Sequence, residues 1–295
     1  NYLLTLWYIF TYRKIIFGKM EKLKETFKEV FSLIKIGLPL LFANLSATLI
    51  LTLDRQVVNM LFSNADYAVY AFAYNMLSLV TVAISAISTV IYPTLKRTSE
   101  ETLKDNYSRL ITIVLIFVNL TLCSYYPLCF IIDWILPKYL DSLVIFRIIF
   151  PGLAISSCIT VIMHNYYKIL GENKIYFIKS LIIIALSLVA NIGAYFIRKS
   201  MLDISIASII VMIFWNIFIE RHFVKKFNIK WVKNFIYMLI MVVYFYLITF
   251  IENYYLGFAL HCVSFVLITG LYYFMELKQI IKKYKEKKDK KKISN

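Results

Sequence analysis

Residues 37–97, GLPLLFANLSATLILTLDRQVVNMLFSNADYAVYAFAYNMLSLVTVAISAISTVIYPTLKR, decide the fold. Two long apolar runs flank the polar turn Ser63-Asn64-Ala65-Asp66, and the first of them carries Asp54 and Arg55 inside it. Read as one helix from Ile36 to Phe62, that run rises about 40 Å, more than the hydrocarbon core of a bilayer at about 30 Å. A charged side chain at such depth costs at least about 2.5 kcal/mol on insertion scales, so charges kept there mark function. Transport is the class this points to.

The rest of the chain has the same character. Hydrophobic residues make up 61% of 295 positions, against about half in soluble domains, and the mean hydropathy is +0.72, which excludes a soluble fold. A net charge of +16 would suggest nucleic acid in a soluble protein. Here Lys and Arg fall in the gaps between apolar runs, which is the pattern of loops facing the cytoplasm, so no nucleic-acid partner is expected. Cys123, Cys129, Cys158 and Cys262 lie within apolar runs without a CxxC or Cys/His ligand spacing and read as small membrane hydrophobes.

Eight apolar runs of spanning length follow one another, at about 36–62, 67–93, 109–132, 143–167, 175–197, 204–220, 235–251 and 256–275. The alternate gaps 13–30, 94–109, 168–179, 221–233 and 276–295 hold 27 of the Lys and Arg residues, while the opposite gaps hold only Lys138, Arg198 and Lys199. This asymmetry orients both ends of the chain to the cytoplasm, in a multi-pass protein of the cytoplasmic membrane. The opening segment 1–12 reads as the end of a membrane helix that begins upstream. Residues 13–35 read as an amphipathic interfacial linker, with Met20, Leu23, Phe27, Val30 or Phe31, and Ile34 on the lipid face and Lys19, Lys22, Lys24 and Lys28 near lipid headgroups. The expected fold is therefore all-α: a polytopic helical bundle with a six-helix lobe over 36–220, two additional transmembrane helices over 221–275 and a Lys-rich tail over 276–295, densest from Lys282 to Lys292.

Polar residues inside the runs are the candidate site. Asn44, Thr48, Thr52, Arg55 and Asn59 recur three or four residues apart, as do Asn75, Ser78, Thr81, Ser85, Ser88 and Tyr92, so each set lines one helix face. Such faces either line a wet cavity or let helices approach and hydrogen-bond. The amides of Asn44 and Asn75 favour the cavity, because lipid offers them no partners. Asp54 and Arg55 point about 100° apart and so each calls for a partner elsewhere. Arg147 enters the fourth run from the opposite side and reaches a similar depth; its guanidinium either shares the cavity or snorkels to outer phosphates. Paired arginine forks would suit a pyrophosphate or a carboxylated sugar. Pro151 and Gly152 interrupt the fourth run as a hinge or a static kink, and Asn191 and Asn216 are further buried amides. His164, His222 and His261 are scattered, and no cluster of acids, metal-ligand spacing or Gly-rich phosphate loop appears. No enzyme, cofactor or metal site is expected.

Several of these residues also form motifs. Gly37-Leu38-Pro39 opening a helix, Leu53-Asp54-Arg55, Tyr67-Ala68-Val69-Tyr70 after the turn, and the closing Ile91-Tyr92-Pro93-Thr94-Leu95 together resemble the start of the second half of polysaccharide flippases. These belong to the multidrug/oligosaccharidyl-lipid/polysaccharide exporter superfamily. The resemblance implies a two-lobed transporter, of which this chain supplies the C-terminal lobe and an upstream N-terminal lobe is the partner. It also implies a lipid-linked (undecaprenyl-pyrophosphate) oligosaccharide as substrate, moved by alternating access, with Arg55 and Arg147 at the anionic headgroup. A multidrug antiporter of the same superfamily would need an acidic, aromatic site, for which Asp54 is the one well-placed acid. A membrane polymerase or glycosyltransferase would need a catalytic cluster, usually on a large outer loop, and the longest outer gap, 133–142, is short.

Overall fold

A computed structural model describes residues 2–16, 23–274 and Lys278, and every regular element among them is helical. The Lys-rich tail expected over 276–295 falls outside the described residues apart from Lys278, as do Lys19, Met20 and Lys22 of the expected linker. Two short helices, α1 (Tyr2–Thr11) and α2 (Arg13–Ile16), precede α3 (Leu23–Ile50). The next helix thus begins at Leu23 and runs without a break through the position where a linker was expected to end. Then follow α4 (Leu53–Leu61), α5 (Asn64–Lys96), α6 (Glu100–Thr121) and α7 (Tyr125–Ile135). The fourth run is divided into α8 (Ser142–Ile149), α9 (Gly152–Ser157), a π-helical stretch Cys158–Met163 and α10 (His164–Ile169). The chain continues as α11 (Asn173–Arg198), α12 (Met201–Phe227), α13 (Val232–Ile248) and α14 (Tyr254–Tyr272).

Six of the described helical spans are long and apolar enough to cross a membrane, seven when the bent pair 142–169 is counted as one, and α13 is an apolar helix of 17 residues. The chain is a multi-pass membrane protein with an all-α fold.

Local chemistry explains the starts and the breaks. The turn Ser63-Asn64-Ala65-Asp66 is a reciprocal cap: Ser63 Oγ accepts from the Asp66 backbone N–H at 3.2 Å, and the Asp66 carboxylate accepts from the Ser63 backbone N–H at 3.3 Å. The first run, by contrast, is not one straight helix. Ser46, Thr48 and Thr52 donate back to the carbonyls of Phe42, Asn44 and Thr48 at 2.7, 3.2 and 3.0 Å, competing with the ladder of backbone bonds. The α-helix gives way at Leu51–Thr52 and restarts at Leu53, although α5 carries similar hydroxyls without a break. The fourth run bends by 41° where Pro151 separates α8 from α9. Gly152 follows it against α12: a Cβ there would stand 2.8 Å from Ile209 Cδ1 and 3.3 Å from Met212 Sδ. The pair predicted as a hinge or kink is thus a bend packed tightly on a neighbouring helix.

Packing joins α11 to α12 and α3, α5 to α8, and α4 to α5. The last two helices are fastened to α6 and α7 by polar contacts between otherwise apolar faces. Tyr126 Oη donates to the Ile248 carbonyl at 2.7 Å, and Asn234 Oδ1 accepts from Thr112 and Tyr273 hydroxyls, each at 3.0 Å. Beside Tyr126, Gly257 allows contact that no side chain would permit, since a Cβ would meet the ring at 2.2 Å.

At the end of the bundle where the basic gaps collect, Glu172, in the turn before α11, ties three spans. It accepts from His222 Nε2 at 2.7 Å and Lys226 Nζ at 2.8 Å, both on α12, and Lys226 also lies 3.8 Å from Glu100 at the start of α6. Partial burial alone would raise the Glu172 carboxyl, but the hydrogen bonds from Lys226 and His222 outweigh it and hold it below its usual value.

Two expectations follow. Gly257→Ala destabilises the detergent-solubilised protein by about 1–3 kcal/mol in thermal unfolding, whereas Gly270→Ala, with open space around it, does not. Because Glu172 is depressed in the folded state, its contribution is present above the unfolded carboxylate value of about 4.3 and is lost as pH falls through the lower folded value. Glu172→Gln therefore lowers the melting temperature at pH 7, and the gap to wild type closes as the pH drops below about 4.

Candidate functional site

The polar faces of the first two spans meet in one cavity of about 250 Å³. Thr48, Leu51, Thr52 and Arg55 supply one wall across the break between α3 and α4, and Tyr74, Leu77, Ser78 and Thr81 of α5 supply the second. Ile149, Gly152, Leu153 and Ser156 from the bent fourth run, with Met212 of α12, close the third side. The helix break and the Pro151 bend therefore both border the same space.

Few donors in this wall are free. The hydroxyls of Thr48, Thr52, Ser78 and Thr81 donate to backbone carbonyls three or four residues back on their own helices, at 3.2, 3.0, 2.6 and 3.0 Å. Their protons are committed, and lone pairs remain. Arg55 is different. It forms no ion pair among the described residues, its buried Nε–H has no acceptor, and its guanidinium carbon lies 4.7 Å above the face of the Tyr74 ring. A buried donor without a partner, next to a cavity, points to an acceptor that occupies it in use, whether water or ligand. The walls otherwise are mostly aliphatic. A cavity of this make-up suits an anion carried on an apolar body.

Asp54 is turned the other way. It is 3% exposed and does not line the cavity. Its Oδ2 accepts from Tyr70 Oη at 2.9 Å and also from Tyr74 Oη, and its Oδ1 accepts from the Arg55 backbone N–H at 2.8 Å. The separate partners anticipated for the two adjacent charges are thus two tyrosine hydroxyls for one and a tyrosine face for the other.

The remaining residues of the expected site are scattered. Asn44 and Asn75 are exposed, each within a turn of cavity-lining residues but not among them. Asn191 is fully buried between α11 and α12, where it donates to Ser187 Oγ at 3.2 Å and accepts from Ser208 Oγ at 3.0 Å, a closed packing contact. Arg147 lies with its guanidinium 5.4 Å over the Phe250 ring at the end of α13, outside the cavity. Of the bend, Gly152 lines the cavity and Pro151 does not. Sequence reasoning missed Tyr74, Ser156 and Met212 as wall residues and Tyr70 as a partner of Asp54. A signal existed for the tyrosines, which stand four apart and therefore on one face of α5.

Residues 1–99 match the family described as "Polysaccharide biosynthesis protein". No curated protein and no solved structure matches the chain. The matched segment contains Thr48, Thr52, Arg55, Tyr74, Ser78 and Thr81, two of the three walls of the cavity. The match covers the first third of the chain and fits a role in polysaccharide synthesis or export.

Proposed function

We propose that the protein translocates an anionic lipid-linked oligosaccharide, of the undecaprenyl-pyrophosphate kind, across the cytoplasmic membrane for surface polysaccharide synthesis. It works as a transporter by alternating access, without enzymatic chemistry, and both ends of this chain face the cytoplasm. The observation that carries the reading is Arg55: a guanidinium without an ion pair among the described residues, its buried Nε–H without an acceptor, on the wall of a cavity between membrane helices, in a segment that matches a polysaccharide-biosynthesis family. A polar sugar–phosphate head cannot cross hydrocarbon unaided, and a cation kept inside the bilayer is costly and suits a charged ligand. The largely aliphatic walls suit the part of the substrate where phosphate joins lipid.

A site for organic cations is less well supported, because the acid nearest the cavity, Asp54, has its oxygens occupied by two hydroxyls and a backbone N–H and is withdrawn from the space.

Arg55→Ala in the complete protein, expressed in a flippase-deficient cell, is expected to cut surface polysaccharide about tenfold or more at unchanged protein levels. Arg55→Lys restores only part of it, since an ammonium is a point charge where the guanidinium is a planar fork. Full export by Arg55→Ala would overturn the reading.

A further inference from the structure

Asp54 and Arg55 stand side by side in the sequence, and although a helix points their side chains about 100° apart, a flexible arginine stem can curl back to an adjacent carboxyl. Such a pair would use up the donors that a cavity ligand needs. No such ion pair forms among the described residues, and α5 meets Asp54 instead. The Asp54 side chain is held on the buried side of α4 by Tyr70 and Tyr74, one turn apart, whose hydroxyls both reach Oδ2. Ser205 of α12 shares its one hydroxyl proton between the Met201 carbonyl at 3.0 Å and the Tyr70 hydroxyl at 3.4 Å, so the clamp also touches a third helix. Tyr74 acts a second time: its ring face carries the Arg55 guanidinium at 4.7 Å, on the cavity side. The same residue thus holds the acid back and the base forward.

We propose that Tyr70 and Tyr74 sequester Asp54 so that it does not neutralise Arg55, which makes the two phenols positioning residues that keep the guanidinium available to an anionic ligand. This rests on Arg55 being the ligand-contacting group of the cavity. Without the two hydroxyls, Asp54 would retain buried acceptor capacity, and the guanidinium one residue away would be the charged donor within reach. Phenylalanine at both positions keeps the rings, and with them the packing and the face beneath Arg55. The defect of Tyr70→Phe/Tyr74→Phe therefore comes from Asp54, and removing the charge of Asp54 cures it.

The test uses the full chain in detergent with two readouts: binding of farnesyl pyrophosphate, and the rate at which phenylglyoxal modifies Arg55 without ligand, followed by peptide mass spectrometry. Tyr70→Phe/Tyr74→Phe is expected to weaken farnesyl pyrophosphate binding about tenfold or more and to slow Arg55 modification by a similar factor. Adding Asp54→Asn to that double variant restores both, a rescue that general misfolding would not allow. The proposal is overturned if the double variant behaves as wild type, or if Asp54→Asn fails to restore it. Should wild type and Arg55→Ala bind farnesyl pyrophosphate equally, the reading of the cavity fails, and the modification rates still decide the clamp.

Discussion

Inside a bilayer every polar group must find its partner within the protein, and the arrangement around Asp54 and Arg55 follows from that constraint. Hydroxyls along the first two spans satisfy it by bonding to carbonyls of their own helices. Asn191 satisfies it between two serines, and Asp54 satisfies it with three donors from its own helix and the next. Once these accounts close, Arg55 is left over at the edge of a cavity with a buried N–H unassigned. A buried donor without an acceptor on the wall of a cavity is a physical sign of a place that water or a ligand fills.

The irregularities of the helices serve the same place. The first span breaks at Leu51–Thr52, beside the back-bonding Thr48 and Thr52, and Asp54 and Arg55 sit in the first turn of the helical segment that restarts there. Pro151 turns the fourth span so that Gly152 and Ser156 face the cavity, and the absence of a side chain at Gly152 lets that span press against Ile209 and Met212 of α12. Farther off, the two final helices are bound to α6 and α7 by tyrosine hydroxyls and the Gly257 contact, and they supply the Phe250 face that carries Arg147.

Much of this was legible in the sequence, because hydrophobic length and helical spacing are local properties. The all-α membrane bundle, the turn at Ser63 to Asp66, and the polar faces of Thr48, Thr52 and Arg55 and of Ser78 and Thr81 could be read from periodicity, while their meeting in one cavity could not. What could not be read depends on which helices touch. Tyr70 and Tyr74 lie 16 and 20 residues from Asp54, and they become its partners only through the packing of α4 on α5. Asn191 and Arg147 have the residue types of a cavity lining, yet the rotation of their helices turns one toward Ser208 and the other toward Phe250. The break at Leu51–Thr52 was hidden for another reason: back-bonding hydroxyls are tolerated in a helix, as those of Ser78, Thr81 and Ser85 are in the unbroken α5, so their presence in the first run does not announce a break.

The central claim is that position 55 faces water within the membrane. It is tested most directly by replacing Cys123, Cys129, Cys158 and Cys262, introducing Arg55→Cys or Val82→Cys into that background, and labelling membranes with a charged sulfonate thiol reagent. Reaction at Arg55→Cys, slowed by farnesyl pyrophosphate and absent at the exposed apolar position of Val82→Cys, is the predicted result. Labelling of Arg55→Cys only by an apolar maleimide, with none by the sulfonate, would contradict it.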